Sequence, residues 1–148
     1  HREPKGWFWQ DCSDDFEYII NRPQNMEGKP ALLLSLSDHV SHERITRVIG
    51  PDTSIWEVTI KQPHNDFMQS KQQLSLFRKC IRKLIVEIKN THGDATPLQI
   101  FPVMPVSCAV ELGRARMPKA DMPWLIYDHD IKTQQFVMAV ELRGDLHE

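Results

Sequence analysis

At 148 residues, 41% hydrophobic and 26% charged, the chain has room for one domain with a sizeable core and the make-up of an ordinary soluble protein. A net charge of −2 excludes the broad basic face that long nucleic acid requires, but not a small anionic ligand held by local donors. No apolar run nears the roughly 18 residues of a membrane span, and Asp11, Asp14, Asp15 and Glu17 stand where a signal peptide needs an apolar stretch.

Cys12, Cys80 and Cys108 are odd in number and lack CxxC spacing, which indicates neither a disulfide framework nor a zinc site. Reduced thiols are the simplest reading and make the expected location cytoplasmic. Residues 1–28 are the least regular part. Trp7, Phe8 and Trp9 precede an acidic stretch and the turn-rich NRPQNMEG, which reads as an N-terminal arm or linker that packs on the domain or on another subunit.

The domain proper spans residues 29–148. Residues 31–36 (ALLLSL) form a continuous apolar run, the pattern of a central strand covered on both faces. Ser37 or Asp38 is expected to cap the helix that follows, in which Val40, Arg44, Ile45, Val48 and Ile49 recur at helical spacing. Gly50-Pro51 ends it. A second strand covers residues 55–60, and Pro63, His64, Asn65 and Asp66 mark a loop. The clearest helix covers residues 70–92: Ser70 and Gln73 make a capping box, Leu74, Phe77, Ile81, Leu84, Ile85 and Ile88 an apolar stripe, and Gly93 a stop. Its Arg78, Lys79, Arg82 and Lys83 read as a solvated face.

Leu98, Ile100, Phe101 and Val103 form a third buried strand between Pro97 and Pro105. Pro105 suits the first turn of a helix because its missing donor would be orphaned there anyway. Ala109, Val110 and Gly113 share one face of that helix and are expected to face the sheet. Residues 124–127 give another strand, residues 129–134 a turn, and residues 136–142 a strand returning antiparallel to it. Strands alternating with helices define an α/β, Rossmann-like three-layer sandwich with a mostly parallel sheet and a C-terminal antiparallel hairpin edge.

In such a sheet, ligands sit beyond the carboxyl ends of the strands. Four segments end there, carrying Ser35, Ser37 and Asp38; Lys61, His64 and Asn65; Pro105 and Ser107; and Tyr127 and Asp128. Hydroxyls, amides, a phenol and a carboxylate suit a nucleobase or ribose, and backbone N–H groups at a helix start suit phosphate. Each residue has a plainer reading too: Ser37, Asp38 and Ser107 as helix caps, Tyr127 as a core aromatic with a satisfied hydroxyl. The chain lacks GxSxG, GxGxxG, HExxH and Walker patterns. Cys108 near a helix start has no evident base partner and reads as a small buried residue.

The segments LLLSLSD, QSKQQLSLFRKCIRKL, IFPVMPVSCAVELGR, WLIYDHD and QFVMAVEL together resemble the SAVED domain over residues 29–142. SAVED domains are the sensors of effectors in bacterial CBASS antiphage defence, built from two CARF-like halves. The resemblance implies that this chain is the C-terminal half and binds a cyclic oligonucleotide second messenger through Ser35, Ser37, Asp38, Pro105, Ser107, Tyr127 and Asp128. It also implies no catalytic residue, metal or cofactor; self-association; and, as partners, a second SAVED half and an effector domain, fused or on a separate chain. Two other readings stay open. One is a ring-nuclease-like enzyme using His39, His64 or Asp128, and the other is a structural half that oligomerises without touching ligand.

Overall fold

The computed structural model describes residues 17–64, 70–104, 106–116, 122–130, 133 and 135–142. In chain order these form β1 (Ile19–Asn21), β2 (Lys29–Ser35), α1 (His42–Ile49), β3 (Thr53–Thr59), α2 (Lys71–His92), β4 (Leu98–Val103), α3 (Val106–Ala115), β5 (Trp124–Asp130) and β6 (Gln135–Leu142). The six described strands make one sheet in the order β1-β3-β2-β4-β5-β6.

The run with no polar alternation, β2, lies inside the sheet because both of its faces are covered. Leu32, Leu34 and Leu36 pack with Phe77, Ile81, Leu84, Ile85 and Ile88 of α2 and with Cys108, Leu112 and Ala115 of α3. Ala31 and Leu33 face the other way, onto Ile45 and Ile49 of α1. Strand side chains alternate with period two, so one buried strand supplies two cores and the domain has three layers.

The sheet is mixed. Strands β3, β2, β4 and β5 run parallel, β6 closes one edge as an antiparallel hairpin with β5, and β1 lies antiparallel to β3 at the opposite edge. A mostly parallel arrangement therefore describes the inner strands alone. The β1 edge escaped the sequence reading because a three-residue strand carries too little pattern to register. Gly28 makes this edge possible: a Cβ there would lie 2.8 Å from backbone atoms of Thr53. Its N–H donates to Ser54 Oγ at 2.9 Å.

The long helix α2 starts where the sequence placed it. Ser70 Oγ accepts from the Gln73 N–H at 3.0 Å, and the Gln73 side chain accepts from the Ser70 N–H at 2.9 Å. Two other expectations are corrected. The N-cap position of helix α1 is Ser41, whose side chain makes no capping bond, and not Ser37 or Asp38, because Val40 is drawn into the core and the helix cannot begin until the chain has passed it. In α3 the buried side chains are Cys108, Glu111, Leu112 and Ala115, whereas Ala109, Val110 and Gly113 are exposed. The small residues do not mark the packed face there, because Glu111 turns toward α2. It accepts from Arg78 at 3.2 Å and from Arg114 at 3.3 Å. Arg82 adds a bond to the Ala115 carbonyl at 2.8 Å, so the basic cluster of α2 is partly spent on holding α3 rather than left in solvent.

Candidate functional site

From β2 the chain moves through α1 to β3 on one side. It then returns over β2 through α2 to β4, and continues through α3 to β5 on the other side. The direction of winding reverses between β2 and β4, and the crevice beyond their carboxyl ends is where an open α/β sheet offers a binding site.

Three strand exits are tied together at that rim. The N–H groups of Leu36 and Ser37 both donate to the Val103 carbonyl, at 2.9 and 2.8 Å. The His64 N–H donates to the Leu36 carbonyl at 3.0 Å. The exits of β2, β3 and β4 thus share one hydrogen-bonded knot, and α3 begins three residues beyond Val103. Ser37 is partly exposed there, and Asp38 is exposed, with its Oδ1 accepting from the His39 N–H at 2.8 Å.

The other candidates are dispersed. Ser35 is fully buried below the rim; its hydroxyl donates to Glu57, and its carbonyl accepts from Thr59 Oγ1 at 2.7 Å. Ser107 lies in the first turn of α3 by its backbone, and Pro105 lies outside the described residues. Tyr127 is 8% exposed, stacked on Phe101 at 4.4 Å between ring centroids, with its hydroxyl donating to Gln99 Oε1 at 2.7 Å. Burial pushes the Tyr127 phenol above its ordinary pKa. Asp128 is exposed on β5, opposite Val137 of β6. The structure therefore gathers Ser37, Asp38 and the start of α3 at the rim, and sets the Ser35 and Tyr127 hydroxyls within the packed face shared with α1.

Sequence reasoning missed Glu57. This carboxylate sits on β3 at 6% exposure, where Ser35, His42 and Asn21 converge on it. His42 Nε2 lies 2.9 Å from Oε1, and Asn21 Nδ2 donates to the same oxygen at 3.4 Å. Burial alone would raise the Glu57 pKa, but the bonds from His42 and Ser35, with the His42 charge and the Asn21 bond, carry it below the ordinary value. The bond to Glu57 holds the His42 pKa above its ordinary value. A lone acid inside the strand TSIWEVT, where every neighbour is apolar or small, is the signal that could have found it. Beside this cluster a cleft of about 350 Å³ opens between β1 and α1, lined by Asn21, Arg22, Pro23, Gln24, Asn25, His42, Thr53 and Ile55. Among the described residues no group of His, Cys, Asp and Glu could hold a metal ion, and no helix is long and apolar enough to cross a membrane.

A doubly wound α/β domain with three strand exits tied together at its switch point belongs to the class of folds that hold small ligands at the sheet rim. The model of the SMODS-associated and fused to various effectors sensor domain, SAVED, matches residues 1–142, and the chain belongs to that family. Among solved structures it is similar to the Cap4 SAVED/CARF-domain containing receptor of Acinetobacter baumannii with the cyclic trinucleotide 2′3′3′-cAAA. The TM-score is 0.64 at 17% identity, covering 91% of this chain and 29% of that one. The same receptor with 3′3′3′-cAAA gives a TM-score of 0.60 at 19% identity, with the same coverage. The chain thus spans less than a third of the length of these receptors. No curated protein matches it.

Proposed function

We propose that this chain is half of a cyclic-oligonucleotide sensor, which works in the bacterial cytoplasm and reads its ligand at the rim formed by residues 36–39, 61–64, 103–104 and 106–108. The observation that carries this reading is the shared knot of three strand exits at the switch point, in a family whose solved relatives hold cyclic trinucleotides. Backbone N–H groups at the start of α3 take a phosphate, because the first turn of a helix leaves its donors unpaired. Ser37 donates to, and the Asp38 carboxylate accepts from, ribose hydroxyls or base amino groups. In this reading the protein binds its ligand: amide donors hold the phosphates, and the polar side chains of the rim contact ribose and base.

Activation follows from differential affinity. A ligand that contacts this half and the second half together stabilises the arrangement in which both meet, and so favours assembly and the effector coupled to it. Calorimetric titration of the intact protein that carries this chain, with 2′3′3′-cAAA, 3′3′3′-cAAA and smaller and larger rings, tests the reading. Saturable heat with one ring and unchanged ligand recovered afterwards is the expected result. Linear products would favour the nuclease alternative, and no heat with any ring would remove the sensor reading.

A further inference from the structure

The loop of residues 36–41 carries Ser37, Asp38 and His39 out over the rim, and both of its ends are bonded to one side chain. At the entering end the Ser35 hydroxyl donates to Glu57 Oε2; at the leaving end His42 Nε2 lies 2.9 Å from Glu57 Oε1. We propose that Glu57 is a positioning residue that clamps this loop from beneath, and that His42 makes the loop, and ligand affinity with it, dependent on a proton.

Leu36 and Val40 anchor the loop to the two cores, at 0% and 1% exposure. Those apolar contacts fix its depth but give little directional control to the residues between them. Hydrogen bonds to a carboxylate that is itself held by β3 supply the direction, and low local dielectric strengthens them. Glu57 is mostly buried, so removing one of these partners leaves its charge under-satisfied.

The groups around the pair come from four elements. Strand β2 offers Ser35 and β1 offers Asn21, both uncharged. The β1 exit carries Arg22 along the same cleft, its guanidinium taken by Glu87 of α2 at 2.5 and 2.9 Å. Helix α1 continues from His42 to Glu43, which faces Arg47 at 3.8 Å, and the loop itself carries Asp38 and His39. Among the described residues Glu57 is the one acid bonded to His42, so the pair titrates against each other.

The sign follows from both directions of shift. His42 is held above its ordinary 6.5, so the charged clamp is complete below that value and is lost as pH rises through the raised one. Glu57 is held below its ordinary 4.5, so its share is present above that value and is lost as pH falls through the lowered one. Between these limits the loop is fixed. Binding of a polyanion at the loop also favours the protonated imidazolium, and linkage then requires that ligand uptake be accompanied by proton uptake.

The inference rests on the rim being the ligand site, so its test has one arm without ligand. In the intact protein with His39→Asn, which takes the loop's own imidazole out of the titration, backbone amide shifts of residues 37–41 followed by NMR against pH should report one transition, above 6.5, at the His42 midpoint. His42→Gln should abolish it, and Glu57→Gln should lower the midpoint, because the bond that raises it is gone. Calorimetry with 2′3′3′-cAAA forms the second arm. Affinity should fall about tenfold from pH 6 to pH 8, the size of a one-unit linked shift. The measured heat should vary with the buffer's ionisation enthalpy, and both effects should vanish in His42→Gln, a half-exposed site where circular dichroism should show the fold unchanged. Loop amides that ignore pH, or that titrate unchanged in Glu57→Gln, would overturn the clamp. A titrating loop with no binding of cAAA would leave the clamp standing and count against the sensor reading alone. Binding with no pH dependence would overturn the proton linkage.

Discussion

The Tyr127 hydroxyl donates to Gln99 Oε1 at 2.7 Å, joining β5 to a residue near the start of β4. Its ring lies level with Phe101, two positions further along β4, and stacks on it with 13° between planes. The phenol therefore points back along the sheet, away from the carboxyl rim. Tyr127→Phe keeps the stack and deletes one bond that is mostly buried, so unfolding in denaturant should show a loss of about 1 kcal/mol. Affinity for a cyclic trinucleotide should change less than twofold.

Gly28 carries the turn from the β1 edge into β2 at a point where the chain nearly touches Thr53. A methyl group added there would meet backbone nitrogen and carbon at 2.8 Å, atoms that cannot swing aside as a side-chain end can. Gly28→Ala should cost about 1–3 kcal/mol, the range for overpacking, and should raise amide exchange of Ile19 to Asn21 first.

Histidine 92 should give the stability profile an acid-side slope. The Trp56 Nε1–H donates to His92 Nε2 at 3.1 Å, which requires that nitrogen to be unprotonated, and burial lowers the His92 pKa from its ordinary 6.5. The unfolded chain then binds more protons, so this contribution is present above 6.5 and is lost as pH falls through it toward the lowered value. His92→Gln keeps an acceptor for Trp56 without a titrating group. Denaturation midpoints at pH 7.5 and 5.5 should differ less in that variant than in the parent protein.

Helix α3 depends on a buried acid as well as on its apolar face. Glu111, 5% exposed, receives Arg78 from α2 and Arg114 from its own helix. Glu111→Ala removes the acceptor and opens a small void, and thermal unfolding should show a loss of about 1–3 kcal/mol. Because α3 opens at the rim, ligand binding should weaken with it. Arg114→Ala, whose side chain is 68% exposed, should cost less than 1 kcal/mol.

The parts of the fold legible in the sequence were those with strong period or strong punctuation. The unbroken apolar run of β2, the capping box at Ser70 and the glycine stop at Gly93 fix their elements through local physics, and the structure keeps them. What escaped was decided by tertiary contact. The three residues of β1 become a strand only because β3 offers an edge, and the buried face of α3 follows Glu111 because Arg78 waits on another helix. At the candidate site, the polar exit after β2 could be read from Ser37 and Asp38. That Ser35 turns inward could not, because its partner Glu57 lies 22 positions away in sequence.

Amide hydrogen exchange of the intact protein with and without 2′3′3′-cAAA tests the central claim most directly. New protection at residues 36–41, 62–64 and 103–108 is the predicted result, with little change along β1 and the outer side of β3. Saturating ligand that leaves those three strand exits unprotected, or that protects the β1 edge instead, would contradict it.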